Sequence, residues 1–160
     1  MELHNTKIDI AKGKREKLIA ILNQSLADAA DLKSQAKQAH WNVKGSSFIA
    51  LHELFDQVAT EMDTHTDDIA ERITTLGGVA MGTVRLAAEN SSLSEYPHEI
   101  SDGTAHVDAL SSAMADFGKK VRKNIDVTDE IGDKDTADLF TGISRNVDKL
   151  LWFVEAHNQA

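Results

Sequence analysis

Two pairs of ionisable side chains stand out by their spacing. His52 and Asp56 are four residues apart, and so are Asp67 and Glu71. Residues four apart on a helix project from one side, so each pair presents two metal-binding groups together. Asp56 and Asp67 are eleven residues apart, which is about 16 Å along a helix axis. Bonds of about 2.0–2.2 Å from a transition metal to N or O ligands cannot span that gap. Each pair is therefore half a site. Both pairs are symmetric about one point between Glu61 and Met62. If this helix packs antiparallel on its own copy across a two-fold axis, His52 meets the partner's Glu71 and Asp56 the partner's Asp67, twice per dimer. By the same symmetry Asp63 faces the partner's Thr60, and a hydrogen bond between them is expected. His40, at the end of the preceding helix, can add a second nitrogen ligand. Two imidazoles and three carboxylates suit iron, manganese or zinc, and the residue types alone do not choose among these metals. Single pairs of this kind are also common on solvated helix faces, and most of them bind nothing.

The elements that carry these groups are read from hydrophobic periodicity. Leu18, Leu22, Leu26, Ala29, Leu32, Ala36 and Ala39 recur at helical spacing and predict a first helix ending near Trp41. Gly45-Ser46-Ser47 then reads as a turn and a new N-cap. The second helix carries Leu51, Phe55, Val58, Met62, Ile69, Ile73 and Leu76, and stops at Gly77-Gly78. A third holds Val107, Leu110, Met114, Phe117, Val121 and Ile125, capped by Ser101 or Asp102. A fourth holds Phe140, Ile143, Val147, Leu150 and Val154, and opens near Asp133. Strand alternation is absent. The long stretch from Gly77 to Ser101, with the only proline (Pro97) and a short helix expected around Val84 to Glu89, lets the second and third helices run parallel. The fold expected is all-α: a ferritin-like four-helix domain over residues 14–160, preceded by a short tail over residues 1–13.

Composition narrows the function. With no cysteine, thiolate metal sites and disulfides are excluded. No apolar run approaches the roughly 18 residues of a membrane span, and Met1 to Lys17 lacks the apolar core of a secretory signal, so a cytoplasmic location is expected. A net charge of −9 disfavours general nucleic-acid binding, which needs a basic face.

Larger patterns point to a family. Lys37-Gln38-Ala39-His40-Trp41-Asn42-Val43, then Phe48-Ile49-Ala50-Leu51-His52-Glu53 with Asp56, then Ala70-Glu71-Arg72 and Leu76-Gly77-Gly78 resemble the signature of Dps miniferritins. So do Asp135-Thr136-Ala137-Asp138 and Leu151-Trp152-Phe153, and the similarity runs from Lys14 to Glu155. The resemblance implies a homododecameric cage that oxidises Fe(II), preferentially with hydrogen peroxide and otherwise with oxygen, and stores ferric mineral. His40, His52 and Asp56 would be ligands from one subunit, and Asp67 and Glu71 from its two-fold mate. Iron would be the metal, with zinc or manganese able to substitute. The larger ferritins, with Glu-x-x-His pairs inside one bundle, are a poor match. The one such motif, Glu95-Tyr96-Pro97-His98, has proline inside it.

The resemblance also suggests secondary roles. Asp133 and Asp138 would line three-fold pores whose carboxylate rings concentrate cations. Trp41 and Trp152 would quench radicals, although large rings of this kind more often serve packing. Some Dps proteins bind DNA through lysine-rich tails, so a nucleoid-binding cage with secondary iron chemistry is the alternative function. The tail bases Lys7, Lys12, Lys14, Arg15 and Lys17 are few beside an acidic body. A catalytically idle cage is the third reading. Of the remaining histidines, His65 lies on an apolar stripe and is expected to be hydrogen-bonded in the core, whereas His4, His98, His106 and His157 are expected at the surface.

Overall fold

A computed structural model describes residues 3–159. The described residues form five helices: α1 (Lys12–Asn42), α2 (Phe48–Thr75), α3 (Val84–Asn90), α4 (Gly103–Ile131) and α5 (Lys134–Glu155). Four are long, and α3 is the short helix expected within the crossover. Among the described residues there is no strand, only an isolated bridge between Lys44 and Asp102. None of the helices among the described residues is long and apolar enough to cross a membrane.

The stripes meet in one core. Leu18, Leu22, Leu32, Ala36 and Ala39 of α1 are fully buried, as are Phe55, Val58, Met62, Ile69 and Ile73 of α2. They pack with Leu110, Met114 and Phe117 of α4 and with Phe140, Val147 and Val154 of α5. Ile125, at the end of the α4 stripe, is only partly buried.

Helix ends follow from specific residues. Gly77 (φ 84°) closes α2, with Gly78 N–H bonding to Ile73 O and Gly77 N–H to Thr74 O, so the last carbonyls of the helix find partners. Gly132 (φ 94°) closes α4 in the same way. The next residue, Asp133, caps α5 by accepting from Thr136 N–H, so the α4–α5 turn is as short as a helix stop and start allow. Of the two cap candidates for α4, Asp102 is the one used, accepting from Ala105 N–H. Ser47 precedes α2 but makes no side-chain cap bond.

The crossover is strapped to α1 by polar residues that the apolar stripe does not reveal. Buried Asp28 accepts from Ser92 N–H at 2.7 Å and from the Ser92 hydroxyl at 3.0 Å. Asp31 takes the Ser91 hydroxyl, and Gln35 donates to Ser94 O. At the other end, described residues before α1 lie on the bundle: His4 N–H donates to Gly77 O, and the Arg15 guanidinium bonds to both Leu76 O and Ile10 O.

Candidate metal centre

The turn of residues 43–47, reversing at Gly45 (φ 109°), folds α2 back along α1 and brings His40 beside His52. The two residues hold each other. His40 Nδ1 lies 2.7 Å from His52 O, and His52 Nδ1 lies 2.8 Å from His40 O. A carbonyl oxygen can only accept, so each Nδ1 carries the hydrogen. In the neutral imidazole the lone pair is then on Nε2, the form and orientation in which histidine binds a metal. The rings stack with centroids 3.8 Å apart, 22° from parallel. These bonds also occupy the carbonyl of His40, one of the four at the C-terminus of α1 that no helix bond satisfies.

One turn along α2, half-buried Asp56 accepts from Lys37 Nζ at 2.6 Å. That hydrogen bond holds the Asp56 carboxyl below its ordinary value against slight burial, and the charge of Lys37 and the proximity of His40 and His52 act in the same direction. Asp56 is therefore an anion in the hydrogen-bonding company of a cation. Lys33 pairs with Asp63 in the same manner at 2.5 Å, so within the chain the polar partner of Asp63 is Lys33 of α1.

Asp67 and Glu71 stand at the far end of α2. Both are exposed, and among the described residues neither carboxylate takes part in an ion pair or hydrogen bond. No three histidine, aspartate or glutamate groups converge on one point among the described residues. A single chain thus sets His40 against His52, with Asp56 one turn along α2, without gathering three such groups into a cluster, and leaves Asp67 and Glu71 at the other end of the helix.

A model of the Ferritin-like domain matches residues 19–160. The DNA protection during starvation protein of Agrobacterium fabrum is 46% identical over 159 residues, covering 99% of this chain and 98% of that protein. The solved structure of DpsA14 from Streptomyces coelicolor superposes with a TM-score of 0.93 at 33% identity, covering 100% of this chain and 96% of that one. That of Dps from Microbacterium arborescens in the high iron form gives 0.85 at 33% identity, covering 92% and 95%. The chain belongs to the Dps family. Membership supports a general role in iron storage and protection.

Other residues singled out in this Dps chain have varied surroundings. Trp41 and Trp152 are 66% and 61% exposed, with the Lys37 ammonium 5.8 Å from the Trp41 ring and Phe153 tilted against Trp152. Asp138 is exposed. Asp133 is not: it is 3% exposed and gripped by the Arg72 guanidinium through both oxygens, at 2.9 and 2.8 Å, and by the Thr136 hydroxyl at 2.5 Å. Burial opposes its ionisation, but the bonds from Thr136 and Arg72 outweigh that and hold its carboxyl below the ordinary range. A pore-lining role for Asp133 would require breaking these contacts. Arg72 carries no local signal of this partnership, because its partner lies sixty-one residues on.

The histidines divide differently from the sequence expectation. His65 is buried as expected, with Nε2 2.8 Å from Asn146 Oδ1. His106, expected at the surface, is 1% exposed, with Nδ1 2.7 Å from the Tyr96 hydroxyl. It lies four residues before Leu110, on the apolar stripe of α4, and that spacing could have revealed it.

Proposed function

We propose that this protein is a ferroxidase and iron store, oxidising Fe(II) at sites shared by two-fold-related copies and retaining the ferric product inside a dodecameric shell. The observation that carries this reading is the reciprocal bonding of His40 and His52. It leaves two metal-ready Nε2 atoms beside a carboxylate already kept ionised. Half a ligand set is built to a fixed geometry, and the complementary Asp67 and Glu71 are exposed on the same helix. The high-iron Dps of Microbacterium arborescens, similar over nearly the whole chain, agrees with iron as the substrate.

In this reading Fe(II) takes the place of the Lys37 ammonium against Asp56. His40 and His52 bind through Nε2 without rotating, because their Nδ1 bonds persist. The partner's Asp67 and Glu71 complete the set with negative charge, which favours Fe(III) over Fe(II). Hydrogen peroxide is the preferred oxidant. Two ferrous ions supply the two electrons that cleave its O–O bond, and with two protons the product is water, so no hydroxyl radical is released. Iron is the native metal, and zinc or manganese can occupy the same ligands. Exposed Trp41, Ile49, Val84 and Trp152 supply large apolar surfaces of the kind buried between copies. Cation entry is assigned to pores bearing Asp138, with the protein in the cytoplasm.

The DNA-binding alternative receives less support. The described part of the N-terminal segment lies on the bundle, and the Arg15 guanidinium is occupied by backbone carbonyls. With a net charge of −9 the body repels phosphate. An anaerobic ferrous titration, followed by peroxide or oxygen and monitored by ferric absorbance, tests the main reading. Saturable ferrous binding and faster oxidation by peroxide are expected. Failure to bind ferrous iron would defeat it.

A further inference from the structure

One buried pair has no part in the site above. Tyr96, in the crossover, and His106, in α4, are 9% and 1% exposed. Their rings lie 6.0 Å apart and nearly parallel, with the Tyr96 hydroxyl 2.7 Å from His106 Nδ1. Among the described residues that nitrogen is the only hydrogen-bond partner of the hydroxyl. A buried hydroxyl needs an acceptor, so the phenol donates, and neutral His106 carries its hydrogen on Nε2. Burial pushes the Tyr96 phenol up and the His106 imidazole down. Opposing burial at His106, the charge of Asp102 and the carbonyls of Ile100 and Asn42 favour its protonated form.

Two neighbours tie the pair to the helices that carry the candidate centre. The Phe55 ring is 6.4 Å from His106, and Phe55 sits in α2 between His52 and Asp56. Asn42, whose carbonyl bears on His106, is two residues after His40. A phenol in such a place cannot shed a proton to water. It can shed an electron if a base takes the proton in the same step. His106 is that base; Asp102 and the Ile100 and Asn42 carbonyls favour the charge it would gain, while its buried Nε2 has no hydrogen-bond partner among the described residues.

We propose that Tyr96, with His106 as its proton acceptor, is an internal one-electron donor used when peroxide meets a site holding a single ferrous ion. The proposal rests on the iron-oxidation reading. Cleaving the O–O bond of hydrogen peroxide takes two electrons, and one ferrous ion supplies only one. Tyr96 supplies the other while its phenolic proton passes to His106. The products are one ferric ion, two hydroxide ions, a phenoxyl radical and an imidazolium. A second ferrous ion then returns the electron, and the proton goes back from His106 to Tyr96. Without the donor, the same encounter yields a ferric ion, one hydroxide and a free hydroxyl radical. Tyr96 holds the radical inside the bundle, unlike the exposed rings of Trp41 and Trp152.

Tyr96 is the one tyrosine of the chain, so a phenoxyl spectrum reports this residue alone. The assembled protein is loaded anaerobically with one ferrous ion per site, mixed with one equivalent of hydrogen peroxide and freeze-quenched for electron paramagnetic resonance. A phenoxyl signal is expected. It is lost in Tyr96→Phe, where spin-trapped hydroxyl radical rises instead. His106→Gln keeps an acceptor but removes the base, and the phenoxyl yield falls although Tyr96 remains. Ferric iron forming in the wild-type protein with no phenoxyl signal, or with tryptophan radicals alone, overturns the proposal whatever the variants do. Ferrous iron that stays unoxidised in the wild-type protein would defeat the iron-oxidation reading and this proposal with it.

Discussion

The two ends of α2 carry similar chemistry and are held in opposite ways. At the N-terminal end the ligand candidates themselves are fixed: His40 and His52 bond to each other's backbone, and Asp56 to Lys37. At the C-terminal end Asp67 and Glu71 are exposed and unbonded among the described residues, while the neighbouring residue, Arg72, is the one that is tied down, by Asp133 and Thr136. The first end is organised by its own chain. At the second the geometry of the carboxylates is not set by any bond within the described chain. Under the proposed shared site, positional accuracy would fall to the histidines and closure of the site to assembly.

The most severe test of that division separates the two ends onto different chains. His40→Ala with His52→Ala should slow rapid ferrous oxidation by at least about a hundredfold, the upper end of what loss of even a supporting residue costs a metal site. Asp67→Asn with Glu71→Gln should do the same. Co-assembled from unfolded mixtures, the two inactive variants should regain on the order of a quarter of the wild-type rate. Half of randomly paired dimers are mixed, and each mixed dimer has one intact site of two under isologous pairing. Stopped-flow ferric absorbance measures it. Recovery of nothing, with mixed cages verified by mass, would mean that each site is built within one chain.

A second test loosens only the acidic end. Arg72→Ala leaves the buried Asp133 carboxylate uncompensated, a change that costs about 3–5 kcal/mol in comparable settings. Urea denaturation should show it, while a Co(II) spectrum at the His40–His52 end keeps its nitrogen signature. The same pair predicts a pH dependence. Because the Asp133 carboxyl is lowered by folding, its contribution is complete above the ordinary carboxylate value near 3.8 and is lost as pH falls through the lower folded value. Asp133→Asn should flatten the stability profile below about pH 4. An unchanged acid limb would show that other carboxylates dominate it.

This contrast also explains which features are legible in the chain. Four long helices, the crossover helix and the Gly77-Gly78 stop follow from periodicity and local backbone demands, which act within a few residues. The i, i+4 spacing of the candidate ligand pairs is legible for the same reason. Asp28 and Asp31, Arg72 with Asp133, and Tyr96 with His106 are not, because each satisfies a buried polar group whose partner is set by packing. His106 escapes a sequence reading because histidine is ambivalent between core and surface, although its stripe position is visible. The resemblance offers Asp133 as a pore residue, whereas within the chain it is the N-cap of α5 and the partner of a largely buried arginine. Asp138, further along α5 and exposed, has no such duty. Neutralising it to Asn should slow uptake at limiting iron by up to about tenfold at low salt and less at high salt, since steering is screened.

The smallest effect expected sharpens the comparison from the histidine end. Lys37 occupies Asp56 through an ion pair. An arriving cation must displace that ammonium, so Lys37→Met should raise affinity at this end only. The pair is about half exposed at Asp56 and a third at Lys37, and ion pairs so open to water are worth about 0.2–1 kcal/mol. The gain should therefore be modest, about two- to fivefold in Co(II) affinity by anaerobic titration. The lost hydrogen bond also lets the Asp56 carboxyl rise toward its ordinary value, so the gain should shrink as pH falls toward about 4. Lys33→Met breaks the sister pair with Asp63, nearer the middle of α2, and serves as the control. It should leave Co(II) affinity unchanged if Asp63 is not a ligand. Equal gains from the two substitutions would mean that general charge governs binding and that the fixed geometry of His40, His52 and Asp56 does not.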